Sequence, residues 1–378
     1  MMARLGDIFT ISSGGTPSKN ESSYYDDGII PWIKTGDLKE KYISNEVEHI
    51  TEEGLNNSSA KLFPKDTVLV AMYGATIGAC SILSYEASTN QACAAFLPNE
   101  NVIPEYLYYF LCSHKEKFIK DGVGGAQPNI SAGYLKNVKF ELIPLDEQQK
   151  IIDNLNEVDD LISLRKQQLT KLDELVKSRF IEMFGDQDTN PLGWKQCTIG
   201  ECCTLKSGTT LSAEVENEGG SVPYVKVGDM NFPGNERYIT TSSRYVTEET
   251  AGKGLFEVGS IIFPKRGGAI GTNKKRMTKL LICADLNVMG VLSNGELLPE
   301  YLFSYFDLID LGELSDGSSV PQINNKNIAP LVICIPPMEL QQQFAAFVEQ
   351  IDKSKLEIQK SLQQLETLKK ALMQKYFG

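Results

Sequence analysis

An internal duplication constrains the fold of this 378-residue chain more than any other feature. Short segments recur in the same order, each 192 to 195 residues after its first appearance. The matched segments are 5–7 and 199–201, 13–16 and 207–210, 31–38 and 223–230, 63–78 and 256–271, 104–107 and 299–302, 127–129 and 322–324, and 143–144 and 335–336. Because the offset drifts by so little over an entire half, the chain is predicted to contain two copies of one structural unit.

Each copy ends in a stripe of apolar residues that are spaced alternately three and four residues apart. This spacing is the heptad pattern of a coiled coil. The stripes contain Leu155, Val158, Ile162, Leu169, Leu172 and Val176 in the first copy, and Val348, Ile351, Ile358, Leu362, Leu365 and Leu372 in the second. The two stripes are in phase at an offset of 193 residues, which favours packing against each other. The alternative is that each helix packs only on its own domain.

Between the stripes, short apolar runs bounded by Gly, Pro and Asn predict strands at 67–70, 94–97, 260–263 and 330–335. Residues 104–111 predict a short helix with Pro104 in its first turn. The expected fold class is α+β, with two tandem-duplicated domains at 1–145 and 187–335. Two long helices at 146–186 and 336–378 join and separate these domains, and they are expected to form an antiparallel coiled coil.

The composition limits the classes of protein to which the chain can belong. No apolar run is long enough to span a bilayer, and the first residues lack the apolar stretch of a secretory signal, so we expect a cytoplasmic protein without a membrane partner. The eight cysteines show no CxxC spacing, and only two histidines are present, which argues against a zinc site. The net charge of −12 argues against a free-standing nucleic-acid binder.

Two glycine-rich loops, 74–78 and 267–271, follow predicted strands. Such loops can bring backbone N–H groups close to phosphate, although a simple tight turn is the alternative. The second loop lies in a basic segment that contains no acid, with Lys265, Arg266, Lys274, Lys275, Arg276 and Lys279. Phosphate binding is the predicted role of this segment, and a solvated surface loop is the alternative.

Two Gln-x-Asn segments, Gln127 with Asn129 and Gln322 with Asn324, lie in polar loops. Amide side chains can pair with adenine edges or can cap the backbone, and the spacing alone does not decide between these roles. Signatures of hydrolases, zinc proteases, P-loop enzymes, adenine methyltransferases and nucleases are absent from the sequence. The chain is therefore expected to bind rather than to catalyse.

Together these segments resemble the specificity subunits of type I restriction–modification systems, over nearly the whole chain. The resemblance rests on Ser-Gly-Gly-Thr-Pro at 13–17, Pro-Trp-Ile-Lys-Thr-Gly-Asp at 31–37, Met-Tyr-Gly-Ala-Thr-Ile-Gly at 72–78, Gln-Pro-Asn at 127–129 and Ile-Pro-Leu-Asp-Glu-Gln-Gln at 143–149. Two positions depart from this pattern. Leu340 disturbs the Glu-Gln pair before the second helix, which would weaken the helix start, and the first glycine loop carries no basic residue.

The resemblance implies that each domain reads one half of an asymmetric, bipartite site in double-stranded DNA. The helices would set the gap between the half-sites and dock modification subunits, which carry S-adenosylmethionine and methylate adenine. A translocating restriction subunit that uses ATP and Mg²⁺ is a further expected partner, and this chain itself is expected to hold no cofactor and no metal. The two alternative functions are a stand-alone methyltransferase with unrecognised motifs and a coiled-coil scaffold that does not bind DNA.

The candidate DNA contacts come from the repeated segments, the glycine loops and the basic segment. They are Lys34, Thr35, Tyr73, Gly74, Thr76, Gln127, Asn129, Lys226, Lys265, Arg266, Gly267, Lys274, Lys275, Arg276, Gln322 and Asn324.

Overall fold

The computed structural model describes residues 1–43, 47–123, 129–217 and 219–378. The chain forms two compact units. The first unit contains Met1–Arg165 and Ser361–Gly378, and the second contains Lys166–Lys360. Each unit therefore holds one mixed domain and a part of each long helix.

The first copy of the repeat is built from short strands and helices. The strands are β1 (Met2–Arg4), β2 (Ile11–Ser13), β3 (Ile30–Ile33), β4 (Glu48–Ile50), β5 (Leu62–Phe63), β6 (Val68–Ala71), β7 (Cys80–Ile82), β8 (Ala87–Thr89), β9 (Cys93–Phe96) and β10 (Lys139–Glu141). The helices are α1 (Leu5–Ile8), α2 (Glu52–Asn56), α3 (Pro104–Ser113), α4 (Lys115–Asp121), α5 (Ala132–Asn137) and α6 (Leu145–Phe184). Short 3-10 turns lie at Ser22–Tyr24, Thr35–Asp37 and Gly74–Thr76.

Two four-stranded sheets and a two-stranded ribbon make up the domain of the first unit. The sheets have the strand orders β2-β9-β6-β7 and β4-β3-β8-β5, and β1 pairs with β10. The central strands β6 and β9 are buried at every position, as expected for apolar runs covered on both faces. One face of these strands packs with α3 and α5, and the other packs against residues such as Ile33 and Phe63 of the second sheet.

The second copy repeats this construction. Its strands are β11 (Lys195–Thr198), β12 (Cys203–Ser207), β13 (Val222–Val225), β14 (Tyr238–Ile239), β15 (Tyr245–Val246), β16 (Leu255–Phe256), β17 (Ile261–Pro264), β18 (Arg276–Thr278), β19 (Ile282–Ala284), β20 (Val288–Ser293) and β21 (Val332–Ile335). Its helices are α7 (Ile199–Cys202), α8 (Glu248–Ala251), α9 (Pro299–Leu308), α10 (Asn325–Ile328) and α11 (Met338–Phe377), and its 3-10 turns lie at Val215–Asn217, Val227–Asn231, Gly252–Gly254 and Gly267–Thr272.

The strand order of the second copy matches that of the first. The sheets β12-β20-β17-β18-β14 and β15-β13-β19-β16 correspond to the two first-copy sheets, and β11 pairs with β21 as β1 pairs with β10. The strand β14 lies parallel to β18, and at the equivalent place in the described part of the first copy an isolated parallel bridge joins Tyr42 and Ile82. The predicted duplication, the α+β class, the four strands and the short helix are confirmed.

Two long helices, α6 and α11, each extend over 40 residues. In the first unit, Asn154 Nδ2 donates to the Tyr376 hydroxyl at 3.1 Å, and Arg165 Nε donates to Ser361 Oγ at 3.2 Å. In the second unit, Asp173 pairs with Lys355. Partner numbers fall along α11 as they rise along α6, so the helices are antiparallel, as predicted. No helix in the described parts of the chain combines the length and apolarity needed to cross a bilayer.

A buried glutamine joins the start of each long helix to its own domain. Gln148 accepts from the Ile103 N–H at 2.9 Å and donates to the Asn101 and Ile143 carbonyls, both at 2.8 Å. Gln341 makes the same three contacts in the second unit, with the Leu298 N–H and the Glu296 and Pro336 carbonyls. The expectation of a weaker second helix start is therefore wrong: Leu340 replaces the exposed Glu147, while the residue that anchors the helix is kept.

Candidate nucleic-acid interface

The first glycines of the two loops share a left-handed backbone conformation. Gly74 and Gly267 have φ angles of +68° and +72°, which glycine adopts without strain. Each glycine begins a 3-10 turn, and two residues separate it from the end of the preceding buried strand. A Cβ added at either glycine would meet no described atom within 4 Å, so each loop lies open at the surface of its unit.

The residue before each glycine differs between the copies. Tyr73 is 42% exposed, and Arg266 is exposed at the equivalent position. Both have extended backbones, and each forms an isolated antiparallel bridge, Tyr73 with Asn129 and Arg266 with Gln322. One backbone frame therefore presents an aromatic side chain in the first unit and a guanidinium in the second.

These bridges correct the predicted match between the two Gln-x-Asn segments. The Ile130 N–H donates to the Met72 carbonyl at 3.0 Å, and the Ile323 N–H donates to the Lys265 carbonyl at 2.9 Å. Asn129 is therefore equivalent to Gln322, and the sequence match was wrong by two residues. The backbone register is set by the buried Ile130 and Ile323, whereas the sequence match was guided by amide side chains, of which Gln322 and Asn324 are only half-buried. Gln127 lies outside the described residues.

Asn324 takes the position that Ser131 has in the first copy, at the start of a short helix. Ser131 Oγ accepts from the Tyr134 N–H at 3.0 Å at the start of α5. The backbone N–H of Asn324 donates to Asn327 Oδ1 at 2.9 Å at the start of α10. Ser131 thus caps its helix with its own side chain, whereas at the start of α10 the capping side chain is that of Asn327.

The basic segment of the second unit divides into an inner and an outer part. Lys275 is only 3% exposed, and its Nζ donates to Asn273 Oδ1 at 2.8 Å and to the Ile309 carbonyl at 2.5 Å. Burial lowers the pKa of Lys275 to about 8. Arg276 donates to the Met230 carbonyl at 3.0 Å and to the Lys275 carbonyl at 2.8 Å, and burial lowers its pKa.

These contacts change the expected role of the segment. A phosphate contact by Lys275 would require withdrawing its ammonium from the protein interior, so the structure does not support this side chain as a DNA contact. Arg276 is held mainly by backbone carbonyls, and Lys274 donates to Asn231. In the outer part, Lys265 Nζ donates to Ser207 Oγ at 2.9 Å, and burial, followed by the neighbouring charge of Arg266, lowers the pKa of Lys265.

The repeated lysines Lys34 and Lys226 each precede a 3-10 turn that an aspartate stabilises. Their backbone N–H groups donate to Asp37 Oδ2 at 2.8 Å and to Asp229 Oδ2 at 2.7 Å. The ammonium of Lys34 pairs with Glu48, and that of Lys226 lies 2.6 Å from Glu216 Oε1. Each lysine is thus half-buried and already paired with an acid. The two aspartates were not singled out from the sequence, although the repeated Gly-Asp at 36–37 and 228–229 marked them.

The remaining candidates have local roles. Thr35 begins the turn after Lys34, and Thr76 Oγ1 donates to the Tyr73 carbonyl at 3.3 Å inside the glycine loop. Within the described ranges, no group of three or more His, Cys, Asp or Glu side chains is placed to hold a metal ion. A hydrogen bond with Cys112, together with burial, raises the pKa of the Cys80 thiol.

Comparison with known proteins assigns the fold to a family. A family model described as the type I restriction modification DNA specificity domain matches residues 1–174 and 191–370. The chain belongs to this family. The two matched ranges each contain one copy of the repeat.

Two named relatives align with this chain, one over nearly its whole length and the other over about half of it. In an alignment of 401 positions, gaps included, it is 28% identical to the type I restriction enzyme MjaIX specificity subunit of Methanocaldococcus jannaschii, covering 98% of this chain and 91% of that protein. It is 28% identical over 181 residues to the EcoR124I/EcoR124II specificity subunit of Escherichia coli, covering 47% of this chain and 45% of that protein. The family model thus assigns the chain to the DNA-specificity component of type I restriction–modification systems, and both relatives are named specificity subunits.

Solved structures share the fold at lower identity. The S subunit of the type I restriction–modification system from M. genitalium aligns with a TM-score of 0.53 and 16% identity, over 100% of this chain and 96% of that chain. A chain from a structure of type I R-M complex assembly and conformational transition aligns with a TM-score of 0.63 and 19% identity, over 100% of this chain and 97% of that chain.

Proposed function

We propose that each unit of this specificity subunit reads one half of an asymmetric, bipartite DNA site. The observation that carries the proposal is the exposed residue before each glycine. The same backbone frame occurs twice, yet it presents Tyr73 in one unit and Arg266 in the other. Two copies of one scaffold with different exposed side chains suit two half-sites of different sequence.

The chain would act in a complex with methyltransferase subunits. Its net charge of −12 disfavours long-range attraction to DNA, and the ammonium groups of Lys34, Lys226 and Lys275 already bond within their own units. Partner subunits would therefore supply many of the phosphate contacts. They would also carry S-adenosylmethionine, while a restriction subunit would bring ATP and Mg²⁺. We place this complex in the cytoplasm.

An exchange of domains tests the proposal. Residues 1–145 are replaced by the same segment of a relative with a different target, and methylated sites are mapped across the genome with the original methyltransferase partner. One half-site should change completely and the other should stay the same. The matched control replaces 187–335 and should change only the other half-site. If either exchange alters both half-sites together, the assignment of one half-site to each unit is wrong.

A further inference from the structure

In the first unit, a side-chain amide of α6 joins two charged groups of its own domain. Asn156 Oδ1 accepts from the Lys41 ammonium at 2.5 Å, and Asn156 Nδ2 donates to Glu105 Oε2 at 2.8 Å. The ammonium also donates to the Tyr109 hydroxyl at 3.0 Å and lies 3.9 Å from Glu105 Oε2. The amide therefore gives the cation an acceptor and the carboxylate a donor at the same place.

The second unit carries a cation at the same backbone position. The Ile82 N–H donates to the Lys41 carbonyl at 2.7 Å in the first unit. In the second unit, the Met277 N–H donates to the Arg237 carbonyl at 2.9 Å. Since β7 and β18 are equivalent strands, Arg237 takes the place of Lys41.

The carboxylate is also repeated, but the amide is not. The Pro-Glu-Tyr-Leu segment occurs in both copies, so Glu300 of α9 is equivalent to Glu105 of α3. The heptad register places Glu349 of α11 where the first copy has Asn156. The Glu349 carboxylate pairs with Lys353 at 2.8 Å, and a carboxylate has no N–H to donate. The second long helix thus supplies no amide at this position.

Arg237 and Glu300 consequently keep unused bonding capacity. Arg237 Nε donates to the Tyr238 hydroxyl at 3.3 Å and lies 3.8 Å from Asp352 Oδ1. The Nη2 of the same guanidinium is buried and has no hydrogen-bond partner among the residues that the structure describes. In the described part of the chain, the Glu300 carboxylate forms no hydrogen bond and no ion pair. One donor and one acceptor are therefore left over.

Both residues line a cavity of about 1260 Å³ in the second unit. Phe303 also lines it, and its ring centroid lies 4.4 Å from Arg237 Cζ, so the guanidinium rests against an aromatic wall. One helical turn after Glu300, Ser304 replaces the larger Tyr109 of the first unit. Ser304 is 5% exposed, and its Oγ has no hydrogen-bond partner within the described ranges. The second unit therefore has more room at this place and fewer satisfied polar groups.

The charges around the cavity favour a neutral polar group. An anion would approach Glu300 and Asp352, and both carboxylates would repel it. A cation would approach Arg237 and Lys279, which would also repel it. A carboxamide has no net charge, and it carries an acceptor oxygen and two N–H donors. It can therefore bond to the guanidinium and to the carboxylate at once, as Asn156 does in the first unit.

We propose that the cavity of the second unit binds a carboxamide group, which accepts from Arg237 Nη2 and donates to the Glu300 carboxylate. The group would belong to a small amide such as free glutamine or to the glutamine or asparagine side chain of a bound peptide, since both present the same chemistry. The argument rests on the comparison of the two units and is independent of the DNA-reading proposal.

Three fluorinated probes of similar size test whether the site selects an amide. Trifluoropropionamide, trifluoropropionate and trifluoropropylammonium are titrated separately into the full chain at neutral pH, and binding is followed by fluorine NMR. The amide should bind saturably, with one site per chain, and at least tenfold more tightly than either charged probe, because hydrogen bonds to charged groups are the stronger kind. Glu300→Ala should weaken binding of the amide by a similar factor, and circular dichroism shows whether this variant is folded.

The decisive variant is Glu349→Asn, which gives the second unit the amide that the first unit already has. It should weaken binding of the amide probe at least tenfold and should raise the midpoint of thermal unfolding of the second unit, a gain that mere disruption would not produce. The matched control is Gln350→Asn on the same helix, where the residue is exposed and does not line the cavity. This control should leave both binding and the unfolding midpoint unchanged.

Two further ligands identify the source of the amide. Tighter binding of free glutamine than of acetyl-Gly-Gln-Gly-amide indicates a small molecule, whereas tighter binding of the peptide indicates a protein side chain. Glutamate in place of glutamine should abolish binding of either ligand. Equal binding of the neutral and charged probes, or undiminished binding to Glu349→Asn, would overturn the proposal. Lack of saturable binding by the amide probe and by both glutamine ligands would also overturn it, since Arg237 and Glu300 would then bond to solvent alone.

Discussion

The two units carry different side chains at positions where their backbones are equivalent. Before the glycine loops, Tyr73 in the first unit occupies the position that Arg266 has in the second. On the neighbouring strand, the register that pairs Val70 with Cys80 makes the buried Cys80 equivalent to the buried Lys275. The first substitution changes a surface, and the second changes the interior. Strand order and helix anchoring are thus kept while charge is redistributed, which allows a duplicated scaffold to acquire two specificities.

The ends of the long helices show a second difference. Phe184 is fully buried, and residues 186–194 fold back over the helix end, where Trp194 Nε1 donates to the Phe184 carbonyl at 3.1 Å. Phe377, the equivalent residue in the first unit, is half-buried. Both rings pack against an equivalent tyrosine. The same aromatic contact is therefore closed in one unit and open in the other, and removing each ring should have unequal consequences.

The largest effect is expected from Phe184→Ala. It removes a fully buried ring that contacts Phe180, Tyr301 and Phe344, so the second unit should lose about 3–5 kcal/mol of unfolding free energy. Phe377→Ala should cost the first unit less, because part of that ring is already exposed. Urea unfolding is followed by tryptophan fluorescence, with Trp194 reporting on the second unit and Trp32 on the first after the other tryptophan is replaced by Phe.

Each alanine variant provides the control for the other. Phe184→Ala should leave the Trp32 transition in place, and Phe377→Ala should leave the Trp194 transition in place. Equal losses in the two units would contradict the difference between a closed and an open helix end.

A smaller, pH-dependent effect is expected at Lys275. Its pKa is about 8 in the folded protein and near the ordinary 10.5 when unfolded. Between these values the unfolded chain binds more protons than the folded chain, so the stability of the wild type rises with pH in this window. Relative to Lys275→Met, the unfolding free energy of the wild-type second unit should therefore increase from pH 8 to pH 10.

The matched control for this prediction is Lys274→Met, which removes the neighbouring, less buried ammonium. Its stability curve should run parallel to that of the wild type over the same pH range. Tyrosine ionisation affects all three proteins and cancels in the comparison. A curve for Lys275→Met that is also parallel to the wild type would show that the buried ammonium keeps its ordinary pKa.

Local sequence patterns predicted the helices and strands, which depend mainly on residues close together in the sequence. Heptad spacing predicted α6 and α11, and apolar runs predicted strands such as β6 and β17. The burial of Lys275 was missed because its acceptor, the Ile309 carbonyl, lies 34 residues further along the chain. The ion pairs of Lys34 and Lys226 were missed for a similar reason, since Glu48 and Glu216 are not equivalent in the repeat. Whether a lysine side chain is free to contact DNA thus depends on partners that lie outside its own sequence motif.

The smallest effect is expected in the salt dependence of DNA binding, and it tests whether Tyr73 and Arg266 contact DNA differently. Arg266→Gln should reduce the slope of log affinity against log salt by about one unit if its guanidinium neutralises one phosphate. Tyr73→Phe should leave the slope unchanged, whereas Tyr73→Arg should steepen it by about one unit, because the shared backbone would then present a cation in both units. Affinities are measured from about 50 to 200 mM salt for target and mismatched duplexes, with the chain assembled with its methyltransferase subunits. A uniform loss on both duplexes in Arg266→Gln indicates a phosphate contact, while a loss confined to the target duplex indicates base reading by Arg266. If Tyr73→Arg leaves the slope unchanged while Arg266→Gln reduces it, the two loops do not approach the DNA equivalently, and the shared backbone frame does not serve the same purpose in both units.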